Sequence, residues 1–545
     1  MAKHYLIGIG GTGARVVEAV LHCCAAGFAP EGLTDLTVFL VDPDEGNGNL
    51  SRTKTLVAQY QRARDAVAER DGDDVRIFGT PVAAPDPFVW GIFSDQNMSL
   101  GRYINHELAR KSSPQVADLM EVLFSGEELG TRLNEGFRGH PSIGAVVMAN
   151  TPDDVEPWQS FWADVESSQS EGAVRVFLVG SIFGGTGAAG VPTFGAPNML
   201  KWDRRAALSQ PGAPGTGAGR GDGQSKIFLG AALVLPYFTV EDLPAERTEL
   251  FVTPADFPVA TKAALQYYDE KDASGKLAFD QVYLLGDSLP QPVGKFSPGN
   301  RDQQNRPHYV EVAGALAALD FFRQEPAADA VREGPRFFAA SRSGREVDWR
   351  ALPVTRDAGR LEALQTEFER RVAAMTVFAY TFNTLGTELL SDAYAEPLPA
   401  WYKSHFVLNP KRAEDRIRDP RQARAALEHV AEFNRSFLAW VAALDDGDDE
   451  EGRVRLVDRT RLFAGGGPAA GATSELVSPR TNKAAVGGVL KGVAGQGLTF
   501  DRVRTELDTL RVRRPGMPAA SLYVNLFYEA ALRFVDANYR LGAAR

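Results

Sequence analysis

Apolar residues in the first half of the chain fall in short unbroken runs rather than helical stripes. Tyr5–Ile9, Thr37–Val41, Val174–Val179, Ile227–Leu235 and Gln281–Leu285 each read as a strand. Runs such as Val-Phe-Leu-Val suit strands buried on both faces. Helical spacing follows most of them, over Gly13–Cys24, Thr193–Arg204 and Thr261–Glu270. This alternation predicts an α/β fold, a parallel sheet with crossover helices. His308–Phe322 is alanine-rich and apolar with Gly314 inside it, which predicts a closely packed helix joining two halves. From Leu361 onward the pattern is mainly helical, over Leu361–Leu390, Pro420–Leu444 and Ala520–Tyr539, with a glycine-rich break at Ala464–Ala472. The expected division is therefore an α/β domain over 1–322 that includes the central helix, and a mainly helical region over 323–545. Ser209–Ser225, dense in Gly, Pro and Ser, reads as a flexible surface insertion.

Composition narrows the partners. A chain of 545 residues with 44% hydrophobic and 24% charged residues has ample material for buried cores. Its formal charge of −11 argues against a nucleic-acid backbone or an anionic membrane surface as the main partner. The longest apolar run, Ile227–Phe238, is too short to span a bilayer. Met1–His4 leads straight into a strand with no signal peptide, and the only cysteines, Cys23 and Cys24, are adjacent on a helix, which is poor disulfide geometry. The expectation is a cytoplasmic protein. The 7 histidines show no metal-ligand spacing, and no Ser-His-Asp arrangement stands out.

The chemistry lies in two glycine-rich turns. Residues 177–192 run from an apolar strand into Gly184-Gly185-Thr186-Gly187-Ala188-Ala189, and Pro192 suits the first turn of a following helix. Gly8-Ile9-Gly10-Gly11-Thr12-Gly13 follows the first strand in the same way. Glycine lets successive N–H groups curl toward one spot, and a helix N-terminus behind it favours an anion such as phosphate. Neither turn contains lysine, so neither is a Walker P-loop.

In order along the chain, these pieces resemble the tubulin/FtsZ superfamily, specifically its divergent bacterial members, over roughly the first 350 residues. Gly184–Gly187 match the start of the family's Gly-Gly-Thr-Gly-[Ser/Thr]-Gly signature, with Ala188 and Ala189 following. Gly8–Gly13 match its opening Gly-x-Gly-Gly-x-Gly. Val41-Asp42-Pro43-Asp44 looks like the second nucleotide loop, where an acidic residue lies near magnesium and phosphate. Gly136–Gly144, with Arg138, Gly139 and His140, looks like the loop that senses the γ-phosphate. Pro236-Tyr237-Phe238 resembles the sugar loop, with Glu241 as a ribose candidate. Gly286-Asp287 stands where relatives carry a guanine-reading asparagine, and Asn305 and Tyr309 are the candidates to recognise and stack on the base instead.

The resemblance implies a tubulin/FtsZ-like Rossmann-type sheet that binds GTP or GDP with Mg²⁺, Asp44 being the metal candidate. It implies slow hydrolysis activated by head-to-tail self-assembly into filaments. Asp348, in Glu346-Val347-Asp348-Trp349, is the nearest match to the carboxylate that acts across the subunit contact. The helical C-terminal region is the candidate surface for other proteins. Two alternatives stay open. One is a non-polymerising nucleotide switch in a multi-protein bacterial system. The other is an NAD(P)-binding oxidoreductase, in which Gly8-x-Gly10-x-x-Gly13 is a dinucleotide fingerprint and Asp42 binds the ribose. Several candidates also have plain readings, Asp44 as a turn cap, Asp348 as a surface carboxylate and Tyr309 as core.

Overall fold

The computed structural model describes residues 3–67, 77–91, 97–137, 139–149, 154–168, 173–196, 227–241, 255–273, 279–287, 291–295, 297, 299–324, 336–342, 358–407, 419–444, 457, 462–464, 475–478, 500–511 and 517–538. Its core is a parallel sheet. β1 (Lys3–Ile9) pairs with β2 (Leu36–Val41) on one side and with β5 (Val174–Ser181) on the other. The short β3 (Val82–Ala83) and β4 (Val89–Trp90) both pair with β2. Beyond β5 the sheet continues through β6 (Ile227–Val234), β8 (Gln281–Asp287) and β10 (Arg336–Arg342). A separate parallel pair joins β7 (Phe238–Glu241) to β9 (Gln291–Lys295).

The strand order is β10-β8-β6-β5-β1-β2-β3, with β4 also on β2. This is the doubly wound α/β arrangement of the Rossmann class, extended by β10 at one edge. The sequence expectation of an α/β parallel sheet holds. All eight residues of β5 are buried, the apolar run Val176–Val179 together with Arg175 and Ser181.

α1 (Gly10–Ala25) follows β1 with no intervening loop and packs against α2 (Gly48–Val67). Between β4 and β5 the chain makes an excursion through α3 (Leu100–Tyr103), α4 (His106–Ser112), α5 (Pro114–Leu123), α6 (Gly126–Gly130), α7 (Pro141–Met148) and α8 (Trp158–Ser168). α9 (Thr186–Phe194) follows β5, and α10 (Phe257–Ala273) precedes β8. α11 (Tyr309–Arg323) is the alanine-rich helix; it lies on β5, β6 and β8 and against α1. Its Gly314 lets the Val16 side chain close in, since a Cβ there would come within 2.8 Å of it.

One helix differs from expectation. The segment after β5 becomes helical at Thr186, directly behind the glycine turn, and its described part ends at Phe194. Pro192 therefore sits inside α9 rather than in its first turn. Residues 197–226, including most of the expected Thr193–Arg204 helix and the insertion at Ser209–Ser225, lie outside the described residues.

Three C-terminal helices form where their spacing predicts, α12 (Ala358–Thr381), α13 (Arg424–Ala443) and α15 (Ala519–Asn538), and α14 (Phe500–Thr509) is a further helix that the sequence reading did not anticipate. They pack onto the α/β body. α13 lies along α2, and the buried His22 of α1 stacks on Trp440 at 4.5 Å between ring centroids. Tyr528 of α15 donates to the Ala26 carbonyl at 3.1 Å. Among the described residues no helix is long and apolar enough to cross a membrane.

Candidate functional site: three helix starts at one sheet edge

In a doubly wound sheet the crevice opens where chain direction switches, beyond the carboxyl ends of two adjacent strands. Here those strands are β1 and β5, paired through Ile9 and Gly180, and each leads into one of the two glycine-rich turns. The turns are in contact. A Cβ on Gly10 would lie 3.4 Å from the Gly187 amide nitrogen and 3.4 Å from the Thr186 Cβ. Gly10 also has φ +74°, a conformation glycine adopts without strain.

The third loop joins them. A Cβ on Gly185 would sit 2.9 Å from the Phe137 Cβ and 3.0 Å from the Gly139 amide nitrogen. Gly136 and Gly139 both have positive φ, at +83° and +88°. The chain then enters α7 at Pro141, with His140 as its N-cap. α7 packs on α9 so closely that a Cβ on Gly144 would lie 2.5 Å from the Ala189 Cβ. The alanine that departs from the signature is thus accommodated by a glycine on the facing helix.

Three helices, α1, α9 and α7, therefore begin beside one another. Neither Ile9 before α1 nor Gly185 before α9 supplies a side-chain cap. The first-turn N–H groups of a helix have no partner within it, and each N-terminus carries roughly half a positive charge. Gly11, Gly139, Gly184 and Thr186 are half-buried at this edge, whereas Thr12, Gly13, Gly185, Gly187 and Ala188 are buried beneath it. Gly13 lets α1 lie on the sheet, since a Cβ there would be 2.6 Å from the Val179 carbonyl oxygen. The assembly suits a compact, multiply charged anion.

Beside Gly11 lies a cluster of acids and amides. A Cβ on Gly11 would be 3.2 Å from Asn49 Nδ2. Asn49 and Asn305 bond reciprocally, Asn49 Nδ2 donating to Asn305 Oδ1 at 2.8 Å and the Asn305 amide donating to Asn49 Oδ1 at 2.9 Å. Asn47 donates to Gln303 Oε1 at 2.6 Å. Asp44 accepts from the Asn300 amide at 2.6 Å, and the Asp44 amide donates to Asp42 Oδ1 at 2.9 Å. Burial pushes the Asp42 carboxyl up to about 8; the nearby Asp44 charge adds to this, and the hydrogen bond from the Asp44 amide opposes it. The loop after β2 is thereby fastened to the segment that enters α11.

Below the turns is a buried polar network that the sequence reading did not find. Arg15 donates from Nε to Glu311 Oε1 at 2.6 Å and from Nη2 to the Tyr237 hydroxyl. That hydroxyl donates to Glu311 Oε1 at 2.8 Å, and the His308 amide donates to Glu311 Oε2 at 3.0 Å. Burial raises the Glu311 carboxyl while the Arg15 guanidinium opposes it. The signal available was Arg15 and Glu18, two charges inside an otherwise apolar helical run.

The structure thus brings Gly10, Gly11, Thr12, Gly13, Gly139 and Gly184–Ala188 to one place, with Asp42, Asp44 and Asn305 in the linked loops beside it. Tyr309 is buried in the first turn of α11, 7% exposed. Glu241 ends β7, but its side chain lies outside the described set, as do Arg138 and Asp348. Among the described residues no group of three His, Cys, Asp or Glu is placed to hold a metal ion. Comparisons with family models, with curated proteins and with solved structures find no match to this chain.

Proposed function

We propose that this chain is a tubulin/FtsZ-like protein that binds a guanine nucleotide at the three helix starts and self-associates. The observation that carries this reading is the meeting of Gly10, Gly139 and Gly185 at the switch point, with a helix N-terminus behind each turn. Backbone amides of three turns can take the oxygens of a triphosphate without lysine, which both glycine turns lack. Magnesium fits such a site in the way it commonly binds nucleotides, through phosphate oxygens and water with one or two carboxylates. Asp44, in the loop that the resemblance assigns to magnesium, is the candidate carboxylate, and Mg²⁺ would neutralise phosphate charge there.

The residues of the chain divide the remaining work. The turns around Gly10 and Gly185 bind and orient the phosphates. The loop at Gly139 meets the outermost one. Hydrolysis falls to a carboxylate supplied across the contact between copies, for which Asp348 is the candidate, so turnover reports assembly. The NAD(P) reading loses support at Asp42, whose carboxyl is buried, turned onto the Asp44 amide and raised by burial. A ribose site needs an accessible acceptor at that position.

The deciding experiment is calorimetric titration of the wild type and Gly185→Trp with GTP, ATP and NAD. GTP binding in the presence of Mg²⁺, lost in the variant, supports the reading. Intact affinity in Gly185→Trp, or preference for NAD, overturns it. Filaments by negative-stain imaging separate the self-associating protein from a non-polymerising switch.

A further inference from the structure

α2 touches the candidate site at one end and the C-terminal helices at the other. Its first turn lies beside Gly11 through the buried Asn49, whose amide donates to Asn47 Oδ1 at 2.9 Å. Its second turn is fastened to α1 and to the segment that enters α11. Thr53 Oγ1 reaches the Ala14 carbonyl at 3.1 Å. Arg52 holds Glu18 of α1 through Nε at 2.8 Å and Nη2 at 3.0 Å, and its Nη1 donates to the Asn305 carbonyl at 2.9 Å. About 15 Å further along the axis from Asn49, the buried Gln59 commits both ends of its amide to α13. Its Nε2 donates to Glu432 Oε1 at 3.3 Å, and its Oε1 accepts from Ser436 at 2.7 Å. Glu432 also takes Arg62 Nη2 at 3.1 Å. Residues 432 and 436 are one helical turn apart, so Gln59 selects a single register of α13 along α2. The link continues into the π-helical stretch Phe382–Gly386 that extends α12, where Asn434 donates to Asn383 Oδ1 at 3.2 Å and Asn383 donates to the Ala431 carbonyl at 2.8 Å.

We propose that α2 is a relay by which occupancy of the candidate site sets how firmly α13 is held. The proposal rests on the reading of the three helix starts as a ligand site and names how that site is coupled to the rest of the chain. An anion bound there orders Gly11 and the Asn49 side chain against it. A stiff helix ordered at one end has less freedom to lose at the other, and linkage makes the effect reciprocal. Each hydrogen bond between Gln59, Arg62 and α13 contributes little net stability, so this seam opens more readily than an apolar one. α11 also starts at the site, but it packs on the sheet and α1.

Hydrogen exchange of the full chain, followed by mass spectrometry, tests the relay with and without ligand. Without ligand, Asn49→Ala is expected to speed exchange over 424–436 at least about fivefold and to leave α10 unchanged. In a Gln59→Leu background that response should vanish. With GTP and Mg²⁺, exchange over 424–436 in wild type should slow by a similar factor, whereas Gln59→Leu should bind GTP without the slowing. Ser436→Ala, which removes the other side of the contact, should behave as Gln59→Leu does. A response at α13 that survives both variants assigns the coupling to α1, whose His22 also meets α13, and overturns the relay. No response to Asn49→Ala, or equal acceleration in α10, overturns it whatever GTP does. GTP bound with no slowing over 424–436 overturns it as well. If GTP does not bind while the ligand-free pattern holds, the nucleotide reading falls and the link from the first turn of α2 to α13 stands.

Discussion

Arg15 and Glu311, 296 positions apart, form an ion pair at 2.6 Å between the second turn of α1 and the first turn of α11. Both are buried, at 2% and 1% side-chain exposure, and the Tyr237 hydroxyl closes the triangle. The pair fixes the register of the two helices at the level of the glycine turns.

Removing one member of this pair leaves the other charged and buried. Arg15→Met is expected to lower the unfolding free energy by about 3–5 kcal/mol, measured by urea denaturation at neutral pH. The double variant Arg15→Met/Glu311→Leu should recover part of that loss, since no charge is then stranded. Equal loss in both variants would show that packing around Arg15, and not its charge, carries the effect.

A glycine-to-alanine change at 185 adds a methyl 2.9 Å from the Phe137 Cβ and 3.0 Å from the Gly139 nitrogen. The turn at 136–139 must shift. GTP affinity measured by calorimetry is expected to fall at least about tenfold, roughly 1.4 kcal/mol, with circular dichroism unchanged. Retention of full affinity would place the ligand elsewhere.

Gly144 and Ala189 share one space between α7 and α9. Gly144→Ala should destabilise by about 1–3 kcal/mol through overpacking. In Gly144→Ala/Ala189→Gly the methyl moves from one helix to the other, and most of the loss should return. A double-mutant cycle with no coupling would contradict the close approach.

Asp42 predicts an unusual pH dependence. Its folded carboxyl titrates near 8, raised by burial, whereas an unfolded aspartate titrates at about 3.9. Between those values the folded state holds a proton that the unfolded state has released, so stability falls as pH rises. His22 works in the opposite sense at lower pH. Burial depresses it to about 3, so its contribution is lost as pH falls below about 6.5 toward 3. The window from pH 6.5 to 8 isolates Asp42. There the unfolding free energy should drop by up to about 1.4 kcal/mol per pH unit, and Asp42→Asn should flatten that slope. A wild-type slope unaffected by Asp42→Asn would assign the titration to another group.

The sheet strands were legible because burial on both faces demands unbroken apolar runs, as in Val176–Val179 and Val38–Val41. α2 was not anticipated. Its buried positions include Gly48, Asn49, Thr53 and Gln59, and it meets α13 partly through polar contacts such as Ser436 donating to Gln59 Oε1 at 2.7 Å. A helix whose buried face is partly polar leaves little apolar stripe to read. Likewise the start of α9 was placed too late, because Pro192 reads as a first-turn residue while the glycine turn itself opens the helix. The paired amides at Asn49 and Asn305 are 256 positions apart and carry no local signature.

By itself the sequence determined a parallel α/β sheet, the two glycine turns that follow β1 and β5, and a helical C-terminal region. Backbone sterics and local burial set those features, and both leave marks within a few residues. Tertiary structure alone decided that the loop at Gly139 abuts Gly185, that Ala189 faces a glycine, and that Arg15 meets Glu311. Each depends on which distant segments touch, and close approach is governed by geometry that composition and spacing along one chain do not record.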